Sequence, residues 1–486
     1  MTNHVGADSE ANVTAGATTG TVTSNAALAA PAPGEIEQVM RRLRATAASG
    51  RTRPLAWRLK QLAGIDRLLA ERETEIAEAL GADLGRTGFD AWLGDIASTR
   101  AEASYARKHL RRWMRPRRAS VPMSMRPGRA YYAYEPLGVV LVIGPWNYPV
   151  YLTLGPLIGA LAAGNCAVVK PSEHAPATSA LLTRLLPEYL DADAVAVVEG
   201  DARATQALME QGFDHAFFTG GPEIGKLVMA AAAPTLTPVT LELGGKSPAI
   251  VSRTADPAIA ARRIVWTKFI NSGQTCIAPD YVLVDATVKD LFVRELGTAL
   301  SQMRVGAPQY APIVNRRQYD RLAGLLADSG GDVAVGGGTD AATGAIEPTV
   351  IVEPDPASPV MQEEIFGPIL PVLGTASLDA AIEFVGARAK PLAAYLFSAS
   401  RAEQRRATAE INAGGMVINQ ASLHVLVPSL PFGGVGNSGM GAYHGEWGFQ
   451  TFSHRKAVLV KRQRPDLSLM YPPYTARTER LLRRVF

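Results

Sequence analysis

The chain has 486 residues, 47 % of them hydrophobic and 19 % charged, more than one hydrophobic core usually organises and too apolar for a disordered or collagen-like chain. Its net charge is only +4, which excludes a general nucleic-acid footprint. Two cysteines, Cys166 and Cys276, are too few for a disulfide framework or a Cys-rich zinc site, and the seven histidines are scattered, so no metal is expected and a reducing, cytoplasmic setting is.

The first 34 residues, rich in Ala, Thr and Gly, read as a disordered leader without the basic start and apolar run of a signal peptide. From Glu35 to Arg118 apolar residues recur at three- and four-residue spacing, which predicts helices. The stretch Arg107 to Arg118 has seven basic residues in twelve and reads as a solvated helix face ending at Pro116. The uncharged run Pro136 to Val169 is long enough for a membrane span. Gly144-Pro145-Trp146-Asn147-Tyr148-Pro149 and Gly164-Asn165 break it into strand, loop, helix and strand.

Short apolar runs alternating with helical text predict strands at Gly138–Ile143, Cys166–Val169, Ala194–Val198, His215–Thr219 and Val239–Leu243. A second series follows near Ala249–Val251, Tyr281–Val284, Pro348–Val352, Ile369–Leu373, Ala394–Phe397 and Met416–Ile418. The fold class is therefore α/β, two open sheets with helices on both faces. Tyr131–Tyr134 and Ala457–Lys461 fall outside both series and are expected to pair as a small β arm.

Gly220-Gly-Pro-Glu-Ile-Gly225-Lys226 nearly completes a phosphate loop, but Leu227 stands where the magnesium-binding hydroxyl is needed, which removes a nucleoside triphosphatase. What remains is a glycine turn into a helix near Pro222, whose free N–H groups can hold a pyrophosphate. Gly434-Val-Gly436-Asn-Ser-Gly439 fits the dinucleotide fingerprint by letter but follows Leu430-Pro-Phe432 instead of a long strand, so it reads as a glycine loop packed near a site.

Cys276 lies in the polar loop Asn271-Ser-Gly-Gln-Thr-Cys276-Ile277, where a thiol is reachable and can be tuned below its reference pKa of about 8.5. Cys166 sits in an apolar strand and reads as core. Glu242 ends an apolar strand, where burial raises a carboxyl toward a general base's range, and Asn147 follows a strand in a Pro-flanked turn that suits an oxyanion donor.

Pro145-Trp-Asn-Tyr-Pro149, Lys170-Pro-Ser-Glu173, Phe218-Thr-Gly-Gly221, Leu241-Glu-Leu-Gly-Gly-Lys246, Gly273-Gln-Thr-Cys276 and Glu364-Ile-Phe-Gly-Pro368, in this order, resemble the aldehyde dehydrogenase superfamily over roughly Glu35 to Pro473. Gln274–Pro279, Gly433–Gly441 and Tyr471-Pro-Pro473 look like its class 3 and fatty aldehyde branch. The resemblance implies NAD-dependent oxidation of an aldehyde to the carboxylic acid, with NADP use left open. It gives Cys276 as nucleophile, Asn147 as oxyanion donor and Glu242 as activator of water on a thioester. Trp146, Lys170, Glu173, Gly220, Gly221, Gly225, Glu364 and Phe366 would bind the cofactor, with Tyr148 against the substrate. An NAD-binding domain over 35–115 and 139–244, a catalytic domain over 245–448, an oligomerisation arm over 116–138 and 449–473 and a tail over 474–486 are implied, as is a homodimer.

The sequence departs from the family in two places. Gly221-Pro222 lacks the hydroxyl many members carry after the first glycine of the phosphate turn, and Pro428 stands where class 3 relatives often have histidine or another polar residue. Fatty aldehyde members continue into a hydrophobic anchor, whereas this chain stops at Phe486, so no transmembrane anchor is expected. From Arg455 onward there are nine basic and two acidic residues, with Leu481, Leu482, Val485 and Phe486 on one side of a helix. A cover over a neighbouring subunit's substrate entrance is preferred to a peripheral membrane contact, because so few apolar residues bury little area. A catalytically dead NAD-binding protein and an acyl-CoA-forming dehydrogenase are the rival functions; the first conflicts with the intact Cys276, Glu242 and Asn147, and the second normally dispenses with the glutamate.

Overall fold

The computed structural model describes residues 34–86, 88–303 and 310–485; the expected leader, apart from Gly34, and Phe486 at the end of the tail lie outside the described residues. Helices Glu35–Ala48, Leu55–Glu71, Glu73–Leu84 and Ser98–Trp113 fill the amino-terminal region, with a π-helical segment at Trp92–Ala97. The basic stretch takes carboxylate partners, Arg107 on Asp66 at 3.1 Å and Arg117 on Glu446 at 2.6 Å.

The first sheet has six strands in the order Gly439–Met440, Val239–Glu242, His215–Thr219, Val139–Ile143, Cys166–Lys170, Val195–Val197. All pair in parallel except Gly439–Met440, which runs antiparallel to Val239–Glu242. Val139–Ile143, Cys166–Lys170 and His215–Thr219 are buried along their whole length, the condition that produces continuous apolar runs in a sheet covered on both faces. The chain winds from Val139–Ile143 first to one side and then to the other. That reversal opens a crevice at the carboxyl ends of the strands, where Ile143, Lys170, Thr219 and Glu242 lie. Helix Tyr151–Ala163 is apolar all round and buried at every residue. Among the described residues no helix is long and apolar enough to cross a membrane.

The second sheet has seven strands in the order Asp332–Val335, Thr349–Val352, Ile369–Thr375, Tyr281–Asp285, Pro248–Val251, Ala393–Phe397, Gly415–Ile418. Six of them match the expected second series. Asp332–Val335 was not expected; it is an antiparallel edge strand with mostly exposed side chains, and so lacks the apolar signature of its neighbours. Gly128–Pro136 pairs antiparallel with Ser453–Lys461 and, on its other side, with Arg117–Ala119, forming the arm. Tyr131 stands opposite Val458 and Tyr132 opposite Ala457, as the sequence led one to expect. The tail contains helix Ala476–Val485, on which Leu481 is exposed.

Candidate active site

Two loops meet at the carboxyl edge of the first sheet. One leaves strand Val139–Ile143 and carries Trp146, Asn147 and Tyr148; the other follows helix Pro257–Phe269 and carries Cys276. In the second loop Asn271, Ser272 and Gly273 all have left-handed backbone, with φ of 52°, 53° and 73°. For two non-glycine residues in succession that is a strained arrangement, maintained only where surroundings over-determine it. Here Ser272 Oγ donates to the Ala311 carbonyl at 2.6 Å, and a Cβ on Gly273 would stand 2.2 Å from the Gly367 carbonyl oxygen. The loops are laced together: Asn147 Nδ2 donates to the Gln274 carbonyl at 3.0 Å, Asn271 Nδ2 to the Asn147 carbonyl at 2.9 Å, and the hydroxyls of Tyr148 and Thr275 share a hydrogen bond of 2.8 Å. An amide NH₂ has two N–H groups, so Asn147 keeps one to offer.

Cys276 is half-buried, and its thiol is pushed well above the ordinary range, first by burial and then by the nearby carboxylates Glu364 and Glu242. This corrects the expectation of a thiol tuned below its reference value: the polar loop is visible in the sequence, but the carboxylates that act on the thiol's charge belong to remote segments. The sign follows directly. Little thiolate exists at neutral pH without cofactor, so alkylation of Cys276 by iodoacetamide is expected to keep accelerating from pH 7 to beyond pH 9, with no plateau near about 8.5. Cys166 is fully buried, and burial pushes its thiol up to about 12, so it stays silent in that assay.

Glu242 is 2 % exposed, and neither carboxyl oxygen has a hydrogen-bond partner. Burial raises its pKa well above the usual carboxyl range. The glycine loop at 433–441 explains the enclosure: Gly439 pairs with Glu242 itself, and a Cβ on Gly433 would stand 3.1 Å from Glu242 Oε1. The glycines allow close backbone approach to the acid, in keeping with the reading of a loop packed near a site. Glu364 is pushed up to about 8, by burial and then by Asp280. Its carboxyl lies over Gly244, where a Cβ would stand 2.2 Å from Glu364 Oε2.

Further along the crevice Lys170 is buried and bonds Glu173 at 2.7 Å; burial opposes ionisation of Glu173, but the lysine's charge and hydrogen bond hold its pKa below the usual value. Helix Pro222–Ala232 begins right after the glycine turn. Gly225 N–H already bonds the Gly221 carbonyl and Pro222 has none, which leaves the amides of Glu223 and Ile224 facing outward. No atom lies within 4 Å of where a Gly221 Cβ would be, whereas one on Gly225 would meet Leu243 Cδ2 at 2.8 Å. Open space at a helix amino terminus, a carboxylate-lysine pair for hydroxyls and the buried, unpartnered Thr219 hydroxyl fit a dinucleotide. Trp146 and Phe366 meet edge to face at 5.4 Å between centroids, with Phe366 at φ 49°.

Several residues around the thiol escaped sequence reading. The buried tyrosines Tyr151, Tyr395 and Tyr443 all lie within electrostatic reach of Cys276. Lys268 is fully buried at the end of the helix before the thiol loop; its Nζ has no hydrogen-bond partner, and burial lowers its pKa to about 8. Arg86 and Asp95 form a buried ion pair behind Tyr148. None belongs to a local pattern that would single it out.

Comparison with known proteins gives the family. The model of the aldehyde dehydrogenase family matches residues 5–458. Aldehyde dehydrogenase family 3 member B1 of Bos taurus is 45 % identical, over 91 % of this chain and 96 % of the relative. The dimeric NADP-preferring aldehyde dehydrogenase of Canis lupus familiaris is 44 % identical, over 92 % and 99 %. Among solved structures, Staphylococcus aureus AldH in its substrate-bound state superposes with a TM-score of 0.89 at 41 % identity, covering 93 % of this chain and 99 % of that one. The chain belongs to the aldehyde dehydrogenase family, in the company of its family 3 members, and is an NAD(P)-dependent enzyme that oxidises aldehydes to carboxylic acids.

Proposed function

We propose that Cys276 is the nucleophile, Asn147 the oxyanion donor and Glu242 the general base of a two-stage oxidation. The Cys276 thiol gives up its proton to solvent as its sulfur attacks the aldehyde carbon, and the oxygen that becomes anionic is held by the free N–H of the Asn147 amide and the backbone N–H of Cys276. NAD or NADP, when bound, supplies the acceptor for the hydride. Loss of that hydride from the tetrahedral carbon leaves an acyl thioester on Cys276. Glu242 takes a proton from water, the resulting hydroxide adds to the thioester, and carbon–sulfur cleavage releases the carboxylic acid and the Cys276 thiolate, which takes that proton back from Glu242. The observation that carries this reading is the unpartnered, fully enclosed carboxyl of Glu242 on the strand beside the laced loops. It also favours hydrolysis over acyl transfer to CoA, in which no water need be activated. The test is to supply a panel of aliphatic and aromatic aldehydes without CoA and follow NADH and free acid together; NADH formation that requires CoA overturns the hydrolytic reading.

Lys170 and Glu173 would hold the adenosine ribose, Gly220, Gly221 and Gly225 would shape the pyrophosphate turn, Trp146, Glu364 and Phe366 would border the nicotinamide end, and Tyr148 would wall the aldehyde. A carboxylate at a ribose 2′-hydroxyl repels a 2′-phosphate, so Glu173 favours NAD, while Lys170 offsets part of that repulsion. Glu173→Gln is expected to shift the NADP-to-NAD ratio of kcat/KM toward NADP by about ten- to hundredfold, the scale of a charged hydrogen bond of about 1.5–3 kcal/mol. An unchanged ratio would place Glu173 away from the ribose. A homodimer built through the arm fits the unpaired outer edge of strand Ser453–Lys461 among the described residues, and a free catalytic thiol fits a reducing compartment such as the cytoplasm.

A further inference from the structure

Arg86 and Asp95 belong to none of the sequence motifs, yet they stand directly behind the active-site loops. Both side chains are enclosed, 3 % and 0 % exposed, and Arg86 Nη1 lies 2.6 Å from Asp95 Oδ2. The other carboxyl oxygen accepts the backbone N–H groups of Val150, at 3.0 Å, and Tyr151, at 2.8 Å. These amides open helix Tyr151–Ala163, which has no side-chain cap of its own at Val150. Arg86 Nη2 donates to the Asp90 carbonyl at 2.8 Å, and the guanidinium carbon lies 4.7 Å from the centroid of the Tyr148 ring. Gly94 makes the stack fit: a Cβ there would stand 2.1 Å from Arg86 Nη2 and 3.0 Å from Tyr148 Cε1.

A buried ion pair is a poor device for stability alone, because two apolar side chains can fill the same space without desolvating charges. Apolar residues cannot accept two backbone N–H groups and stack a cation on a ring. Tyr148 follows Asn147, and its hydroxyl meets that of Thr275, which precedes Cys276. We infer that the Arg86–Asp95 pair is a positioning device for the first stage of the reaction. Asp95 fixes the start of the helix, Arg86 fixes the plane of the Tyr148 ring, and the Tyr148–Thr275 contact thereby sets the separation between the Asn147 amide and the Cys276 sulfur. The inference rests on the roles given to Cys276 and Asn147 above.

The test compares full-length wild-type enzyme with Arg86→Met, Arg86→Lys, Tyr148→Phe and the Arg86→Met/Tyr148→Phe double variant. Rapid mixing reads the first-turnover rate of NADH formation at saturating NAD and aldehyde; iodoacetamide alkylation of Cys276 without cofactor reads the thiol alone. Arg86→Met is expected to slow the first turnover by about thirty- to hundredfold, the scale of a misplacement near 1 Å, with alkylation and NAD affinity within about twofold of wild type. Arg86→Lys keeps the charge opposite Asp95 but not the flat stack, and is expected to show a smaller slowing of the same kind. The double variant should be no slower than the slower single one, since both changes break one line of contacts. Multiplying effects in the double variant, or wild-type first-turnover rates in the Arg86 variants with only a lower Tm, overturn the inference. If Arg86→Met does not fold, Arg86→Lys decides: an unchanged rate overturns the inference, and a slowed first turnover with normal alkylation supports it. A Cys276→Ala enzyme that still forms NADH at the wild-type rate overturns the nucleophile assignment and this inference with it; normal rates in the Arg86 variants beside an inactive Cys276→Ala overturn this inference alone.

Discussion

Replacing Cys276 by Ser or Ala is expected to lower aldehyde oxidation by at least about a thousandfold while leaving NAD binding measurable by fluorescence titration. A serine hydroxyl needs a base in contact with it to become a nucleophile, and the neighbouring acid is in no position to serve, because both oxygens of Glu242 lack any hydrogen-bond partner. Cys166→Ala should keep full activity, since that side chain lies within the apolar cluster under the first sheet, and the lost sulfur leaves only a small void there. Substantial turnover in both Cys276 variants would sink the nucleophile assignment.

Glu242→Gln is expected to behave differently, forming NADH once per active site at close to the wild-type rate and then turning over about a hundredfold or more slowly. In the proposed sequence of steps the base acts on the thioester, so hydride loss has already occurred when its absence is felt. Because burial raises the Glu242 pKa, the ionised fraction, and with it the steady rate, climbs through a pH range higher than that of an ordinary carboxylate; this climb should be missing in the glutamine variant. Loss of the initial burst would instead place Glu242 upstream, as the group that deprotonates Cys276.

The parallel strands could be read from the sequence because burial on both faces leaves mostly apolar residues, as in Val139–Ile143 and, between its polar ends, His215–Thr219. Asp332–Val335 carries no such mark, since an exposed edge strand tolerates almost any residue. Gly439–Met440 could not be foreseen as a strand at all; it is two residues long and pairs with a segment far away in the chain. The same division runs through the site. Asn147, Glu242 and Cys276 each follow or end a strand or helix in a way that exposes their chemistry locally. The direction of the Cys276 shift depends on Glu364 and Glu242, and the Arg86–Asp95 pair on Tyr148 and the amides of Val150 and Tyr151, so neither can be recovered from any one stretch.

The antiparallel pairing of Gly439–Met440 with Val239–Glu242 also imposes a timetable on synthesis. About two hundred residues separate the partners, so at about 5–20 residues per second the ribosome leaves that edge of the first sheet unpaired for about 10–40 s. During this interval the strand offers bare backbone groups to any other nascent strand. For the same interval Glu242 lacks the 433–441 backbone that lies against it in the finished sheet. A nascent chain released before residues 433–441 emerge therefore carries the proposed nucleophile, Cys276, while the edge of the first sheet beside the proposed base, Glu242, is still open.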